Sequence, residues 1–226
     1  TSGLAFAGSP SPNDSNTTDI CEEYNGSSWT SVNTMTTARQ TFMGAGTQTA
    51  AFAAGGVIPP GYSNTNASET YDGTNWTTSP GTITTASRQG AAAGTSTAGL
   101  IFSAATAPSS ITNVTQTFDG STYTTVNPVN IARRGGGGSG SQTAALFFGG
   151  ATASPGYEVF TESWDGTSWA TAPSLATGRQ FIAGAVQAPS TASLAFSGFV
   201  PSATSAATEE FTGETSALNV ESLTTS

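Results

Sequence analysis

One self-similarity, recurring about every 47 residues, constrains this chain more than any other feature. The segment TSGLAFAG at Thr1 has relatives in TAAFAAGG at Thr49, TAGLIFSA at Thr97, TAALFFGG at Thr143 and TASLAFSG at Thr191, spaced by 48, 48, 46 and 48 residues. A second marker keeps the same beat: an acidic or amide residue, an aromatic two positions on, then Gly. It occurs at Glu22, Glu69, Gln116, Glu162 and Glu209, with aromatics Tyr24, Tyr71, Phe118, Trp164 and Phe211. A third is the aromatic three residues past that Gly, namely Trp29, Trp76, Tyr123 and Trp169, with Ser216 at the fifth place. A period of this length marks a stack or ring of small supersecondary units.

Each unit supplies four strand-sized pieces; in the second copy they are residues 41–48, 49–56, 68–73 and 75–79. The pieces are short, rich in Thr and aromatics, and bounded by Gly, Pro and Asn. Asp72-Gly73 and Asp165-Gly166 are hairpin signals, because Gly accepts the positive φ of primed turns. No stretch has a helical period. The expected fold is therefore all-β, a propeller of about five four-stranded antiparallel blades in a single domain spanning 1–226. The repeats run 1–48, 49–96, 97–142, 143–190 and 191–226, the last incomplete. The piece after each arginine is the smallest (GAG, AAAG, GGGGSG, AGA), which suits a strand at the crowded axis, where backbones approach closely. The Trp-bearing outer strand can cover the gap to a neighbouring blade.

All basic charge rests on five arginines; Lys and His are absent. Arg39, Arg88, Arg133 and Arg179 each stand near the start of an expected inner strand, with Arg134 beside the third. Recurrence once per unit implies architecture rather than a binding patch. Guanidinium groups at these places can fork onto backbone carbonyls and onto repeat carboxylates such as Glu69 and Glu162. Only four such arginines stand against five copies of the other markers. The missing inner strand is expected from the tail around Leu218–Leu223, from a neighbouring chain, or from a longer protein.

The same composition narrows function. With no histidine, the commonest general base and metal ligand is lacking. Cys21 takes the slot of Ser68, Thr115, Thr161 and Thr208, as a small residue, and one cysteine builds neither an internal disulfide nor a zinc site. A net charge of −9 disfavours nucleic acid, and no apolar run is long enough for a membrane helix. Most carboxylates follow the repeat, and no facing pair of the glycosidase kind can be singled out. The chain is expected not to be an enzyme and to need no cofactor; calcium is kept open at the acidic loop Asn13-Asp14-Ser15-Asn16 through Asp19. The segments 9–19, 57–67, 105–114, 151–160 and 199–207 vary most and fall on one face of the disc, where recognition by a rigid scaffold resides. Tyr62, Pro59 and Tyr157 are the candidate contact residues.

The Gly pairs Gly55-Gly56 and Gly149-Gly150, the turn Tyr71-Asp72, Trp76, and the later Pro80, Pro128 and Pro173 resemble the kelch repeat family, which implies a propeller and little about function. Kelch-built copper oxidases need His ligands that this chain lacks. SWDGTSW at 163–169 is similar to the structural turn of sialidase-type propellers, although its Gly directly follows the Asp. The wording NGSSW, TTARQTFMGAGTQTAAF and TESWDGTSW further resembles kelch-like repeats of structural proteins on marine bacteriophage virions. That resemblance implies a virion-surface role in a tail fibre, appendage or capsid decoration. Its partners would be other virion proteins, copies of itself, or a host-surface glycan or protein. A secreted bacterial adhesin or carbohydrate-binding propeller is the alternative, and a glycan hydrolase a distant one.

Overall fold

In the computed structural model, residues 2–10, 16–153 and 156–213 are described, and all regular structure among them is β. Five antiparallel sheets follow one another as blades of a β-propeller. Blade 2 comprises Met43–Thr47, Ala50–Ala54, Ser68–Tyr71 and Trp76–Thr78. Blade 3 comprises Ala91–Thr95, Ala98–Ala107, Ser110–Phe118 and Tyr123–Val126. Blade 4 comprises Gly137–Gly140, Ala145–Phe148, Thr161–Trp164 and Trp169–Ala172. Blade 1, with Gly3–Gly8, Thr18–Tyr24 and Trp29–Val32, has no inner strand among the described residues. Blade 5, with Ala183–Gly184, Ala192–Phe196 and Thr208–Thr212, has no outer one among them. Ser216 and the tail around Leu218–Leu223 lie outside the described residues.

The pleat explains how neighbouring blades meet, because alternate side chains of one strand leave opposite faces. In blade 4, Ala145 and Phe147 pack with Leu100, Phe102 and Val129 towards blade 3, whereas Leu146 and Phe148 pack with Ile182 and Ala195 of blade 5. Phe52 and Ala54 likewise meet Ala92 and Ile101 of blade 3, and Ala51 and Ala53 meet Leu4 and Phe6 of blade 1. Trp76 and Trp169 are buried, and each indole N–H reaches back across the seam: to Cys21 Sγ at 3.5 Å and to Thr115 Oγ1 at 3.1 Å. The outer tryptophan thus does cover the gap between blades, and it covers the gap to the preceding one.

Small residues line the axis because the neighbouring inner strand's backbone and, at three of the four seams, an aromatic ring press on the inner strand: a Cβ on Gly138 would meet the Ala92 carbonyl and one on Gly184 the Gly138 carbonyl. A Cβ on Gly44 would sit 3.1 Å from the Phe6 ring, on Gly138 3.1 Å from Phe102, and on Gly184 2.8 Å from Phe148. In each case the ring belongs to the second strand of the preceding blade. At the seam between blades 2 and 3 that strand carries Ala54 instead, and the inner strand carries Ala92, both in one apolar cluster. The starts of the four inner strands are joined in series by backbone bonds: Gln89 N–H to Thr41 O and Gly135 N–H to Gln89 O at 2.7 Å, then Phe181 N–H to Gly135 O at 2.5 Å. Thr41, Gln89, Gly135 and Phe181 all have positive φ, between 53° and 65°, a conformation that costs the three non-glycine residues strain.

Candidate functional site

The arginines divide into two groups. Arg39, Arg133 and Arg179 are buried and ion-paired through Nη2 to Glu69, Glu162 and Glu209, at 2.6, 3.2 and 2.7 Å. Arg39 Nη1 also donates to the carbonyls of Gly55 and Ala67, and Arg179 Nη1 to those of Ser197 and Ala207. Arg133 donates to Phe160 O and Phe147 O, with its guanidinium 4.1 Å from the Phe147 ring centroid. The second oxygen of each carboxylate accepts a backbone N–H three residues before the arginine, from Thr36, Asn130 or Ala176. Each clamp thereby pins the connection from the preceding blade onto its own sheet. Burial pulls the Arg133 guanidinium down to about 10, opposed by the nearby Glu162 and Glu158, so it stays charged at neutral pH.

Blade 3 departs from this plan, and Arg88 is not its clamp. Arg88 forms a backbone bridge with Ala105, as Gln40 does with Val57, Arg134 with Ala151 and Gln180 with Phe199. The residue in register with Arg39 is Ser87, and the carboxylate position is held by Gln116, whose Oε1 accepts the Thr84 N–H at 3.2 Å. Arginine and carboxylate have been replaced together, leaving a neutral pair beside a cavity of about 20 Å³ lined by Ser87, Ser103, Thr112 and Gln116. That is room for one water. The sequence holds the sign of this shift: aligned on Thr-Thr-Ala, TTAR at 36–39 matches TTAS at 84–87. Arg88 is half-buried, its Nε buried without a partner among the described residues. Arg134 donates instead to Pro108 O of blade 3 at 2.5 Å.

The four bridges also place the loops. Each links the start of an inner strand to the segment that leaves the second strand, so the hairpins of blades 2 to 5 stand at one end of the axis. At the same end a cavity of about 260 Å³ opens among the starts of the inner strands, lined by Thr41, Phe42, Gln89, Gly135, Phe181 and Ile182 among others. Pro59 and Tyr62 are exposed at the tip of the blade 2 hairpin, with Tyr62 in the left-handed region at φ 51°. Tyr157 is half-buried and bridged to Ala151, so it supports its loop. Phe181 and Phe199, missed by sequence reasoning, stack edge-on at a 6.0 Å centroid distance and are both exposed at this end. The opposite end is crossed by blade 5: Gln187 donates to Gly94 O of blade 3 at 2.7 Å, and Ser139 Oγ donates to Ala185 O and Ala188 O. A longer arginine-to-threonine spacing, 12 residues from Arg179 to Thr191 against 10 from Arg133 to Thr143, was the available signal.

The exposed carboxylates have local work. Asp72, Asp119 and Asp165 each cap their own turn, accepting the backbone N–H groups two and three residues on, and these bonds lower their pKa values. Among the described residues no three His, Cys, Asp or Glu side chains come together as a metal site. Residues 13–15 of the candidate calcium loop lie outside them.

No protein-family model matches the sequence, and no curated protein matches it. Among solved structures, that of YjhT matches with a TM-score of 0.77 over 98% of this chain and 81% of that one, at 13% identity. A likeness at that identity speaks for fold alone. Together with the blade topology it defines the chain as a five-bladed β-propeller.

Proposed function

We propose that the chain is a non-catalytic propeller that works by binding, as a structural or adhesion component on the surface of a tailed marine phage virion. The observation that carries the binding role is that the four variable hairpins, with Tyr62 and Phe199 exposed on them, stand at the same end of the axis as the 260 Å³ cavity, where Phe181 is also exposed. Rigid blades beneath variable loops suit recognition of a host-surface glycan or protein, with aromatic faces supplying contact area. Three of the repeat carboxylates and their arginines are committed to the clamps, which supports a non-catalytic reading. The virion setting rests on the kelch-like wording of the repeats.

Recombinant chain on a glycan array and on host cells tests the binding role. Binding is expected and should fall with Tyr62→Ala or Phe199→Ala while the melting temperature stays put. Arg88→Ala should also be nearly neutral for stability, because Arg88 belongs to no clamp. Silence on both surfaces defeats the adhesion reading. Mass spectrometry of purified virions tests the setting, and absence of the chain there defeats it.

A further inference from the structure

Among the described residues, four apolar clusters fasten blade 1 to 2, 2 to 3, 3 to 4 and 4 to 5, and none joins blade 5 to blade 1. On the blade 5 side, Leu194 and Phe196 stand in register with Leu146 and Phe148, which are buried against the following blade, yet they are 41% and 39% exposed. On the blade 1 side, Trp29 takes the place of Trp76 and Trp169 but is 52% exposed. Glu22 pairs with Ala5 as Glu69 does with Ala53, yet it belongs to none of the three ion pairs among the described residues. Beside it the strand Gly3–Gly8 has an open edge among the described residues, and an open edge is a template for another strand.

The intact blades specify what would cover these groups. Three inner strands carry glycine five residues after the clamp arginine: Arg39 and Gly44, Arg133 and Gly138, Arg179 and Gly184. Each arginine meets a glutamate of its own blade, and each glycine meets a phenylalanine of the preceding one. Both correlations hold when they fail: Gln116 goes with Ser87, and Ala54 goes with Ala92. The opening between blades 5 and 1 presents a glutamate and a phenylalanine. We infer that it takes an extended strand of the form Arg-x-x-x-x-Gly, supplied by polypeptide outside residues 1–226. This strand adds to the free edge of Gly3–Gly8, sets its arginine on Glu22 and lays its glycine against Phe196. Residues 214–226 contain neither arginine nor glycine, so that segment cannot supply both halves of the match. The recognition is strand addition, with main-chain bonds giving affinity and the Arg and Gly positions giving specificity.

The test titrates the full chain into a labelled peptide copying residues 36–48, TTARQTFMGAGTQ, followed by fluorescence anisotropy. Saturable one-to-one binding is expected. Replacing the peptide's arginine by Ala, or Glu22→Gln in the chain, should each weaken it at least about tenfold, as for loss of a charge-assisted bond, with little further loss when combined. Replacing the peptide's glycine at position 44 by Val should weaken it similarly. Unchanged thermal melting of the Glu22→Gln chain keeps the comparison valid. Absent binding, or binding indifferent to Glu22→Gln, overturns the inference. Sedimentation showing that the chain alone forms a dimer split by Phe196→Asp also overturns it, by assigning the surface to a second copy.

Discussion

Writing the blade 3 pair into blade 2 tests whether the clamp is a coupled unit. Arg39→Ser alone leaves the buried Glu69 carboxylate with the Thr36 N–H and no counter-charge. Removing one partner of a buried ion pair costs about 3–5 kcal/mol. Glu69→Gln alone strands the Arg39 guanidinium between the carbonyls of Gly55 and Ala67 and costs a similar amount. The double variant buries no charge. It loses two bonds to neutral carbonyls, each worth about 1 kcal/mol. It also opens a void like the 20 Å³ one beside Ser87, roughly 0.5 kcal/mol at about 24 cal/mol per Å³. The double variant should therefore lose only about 2–3 kcal/mol and be more stable than either single one. Urea unfolding of the four proteins, with matched m-values, gives the cycle directly. Additive losses would show that Ser87 and Gln116 are unrelated substitutions, and the clamp argument would fall.

Three further outcomes follow from the same geometry. Trp76→Ala and Trp169→Ala should each cost about 3–5 kcal/mol, while Trp29→Ala, at a half-exposed site, costs under about 1; equal losses in thermal melts would contradict the seam assignment. Gly138→Ala should destabilise more than Gly44→Ala, because the added methyl meets the Ala92 carbonyl at the first and only the Phe42 and Phe6 rings at the second; the reverse order refutes it. Backbone amides hold Asp72, Asp119 and Asp165 below the usual carboxylate range, led by those of Asn75, Thr122 and Ser168. The unfolded chain therefore binds those protons first. Their contribution is complete above the ordinary carboxylate pKa of about 3.9 and is lost as pH falls through the lowered values. The triple Asp→Asn variant should show a shallower loss of melting temperature on acidification, and an unchanged slope would sink the assignment.

The ring of blades was readable because period, strand length and turn chemistry repeat within single units, where neighbours in sequence are neighbours in space. Seen this way, the clamp was half legible. Glu69 and Arg39 recur at fixed places, so their pairing followed from the cost of burying either one alone. Arg88 misled because its chemistry was read in place of its register; the surrounding Thr-Thr-Ala marks Ser87 as the true counterpart. The exposed stack of Phe181 on Phe199 was not legible, since the first leads into an inner strand and the second lies in a hairpin that only the closed sheet brings together. Nor was the bolt of Gln187 on Gly94, which joins blades two apart across the axis.

Those misses share a cause with the most informative regularity in the molecule. A blade repeated without change would need the same seam everywhere, with Phe against Gly and Arg against Glu. This chain breaks both rules at blade 3, and each break is answered by its partner: Ala54 with Ala92 across a seam, Ser87 with Gln116 within a sheet. Ala54 and Ala92 are far apart in sequence and share one apolar cluster only because consecutive blades pack face to face. Packing in such a fold therefore couples pairs separated by most of a repeat. A single substitution that looks conservative inside one unit can open a void or strand a charge, while two drastic ones made together can cost less than either alone. By the same logic an unmatched half, such as Glu22 or Phe196, is a statement about the residue that must meet it.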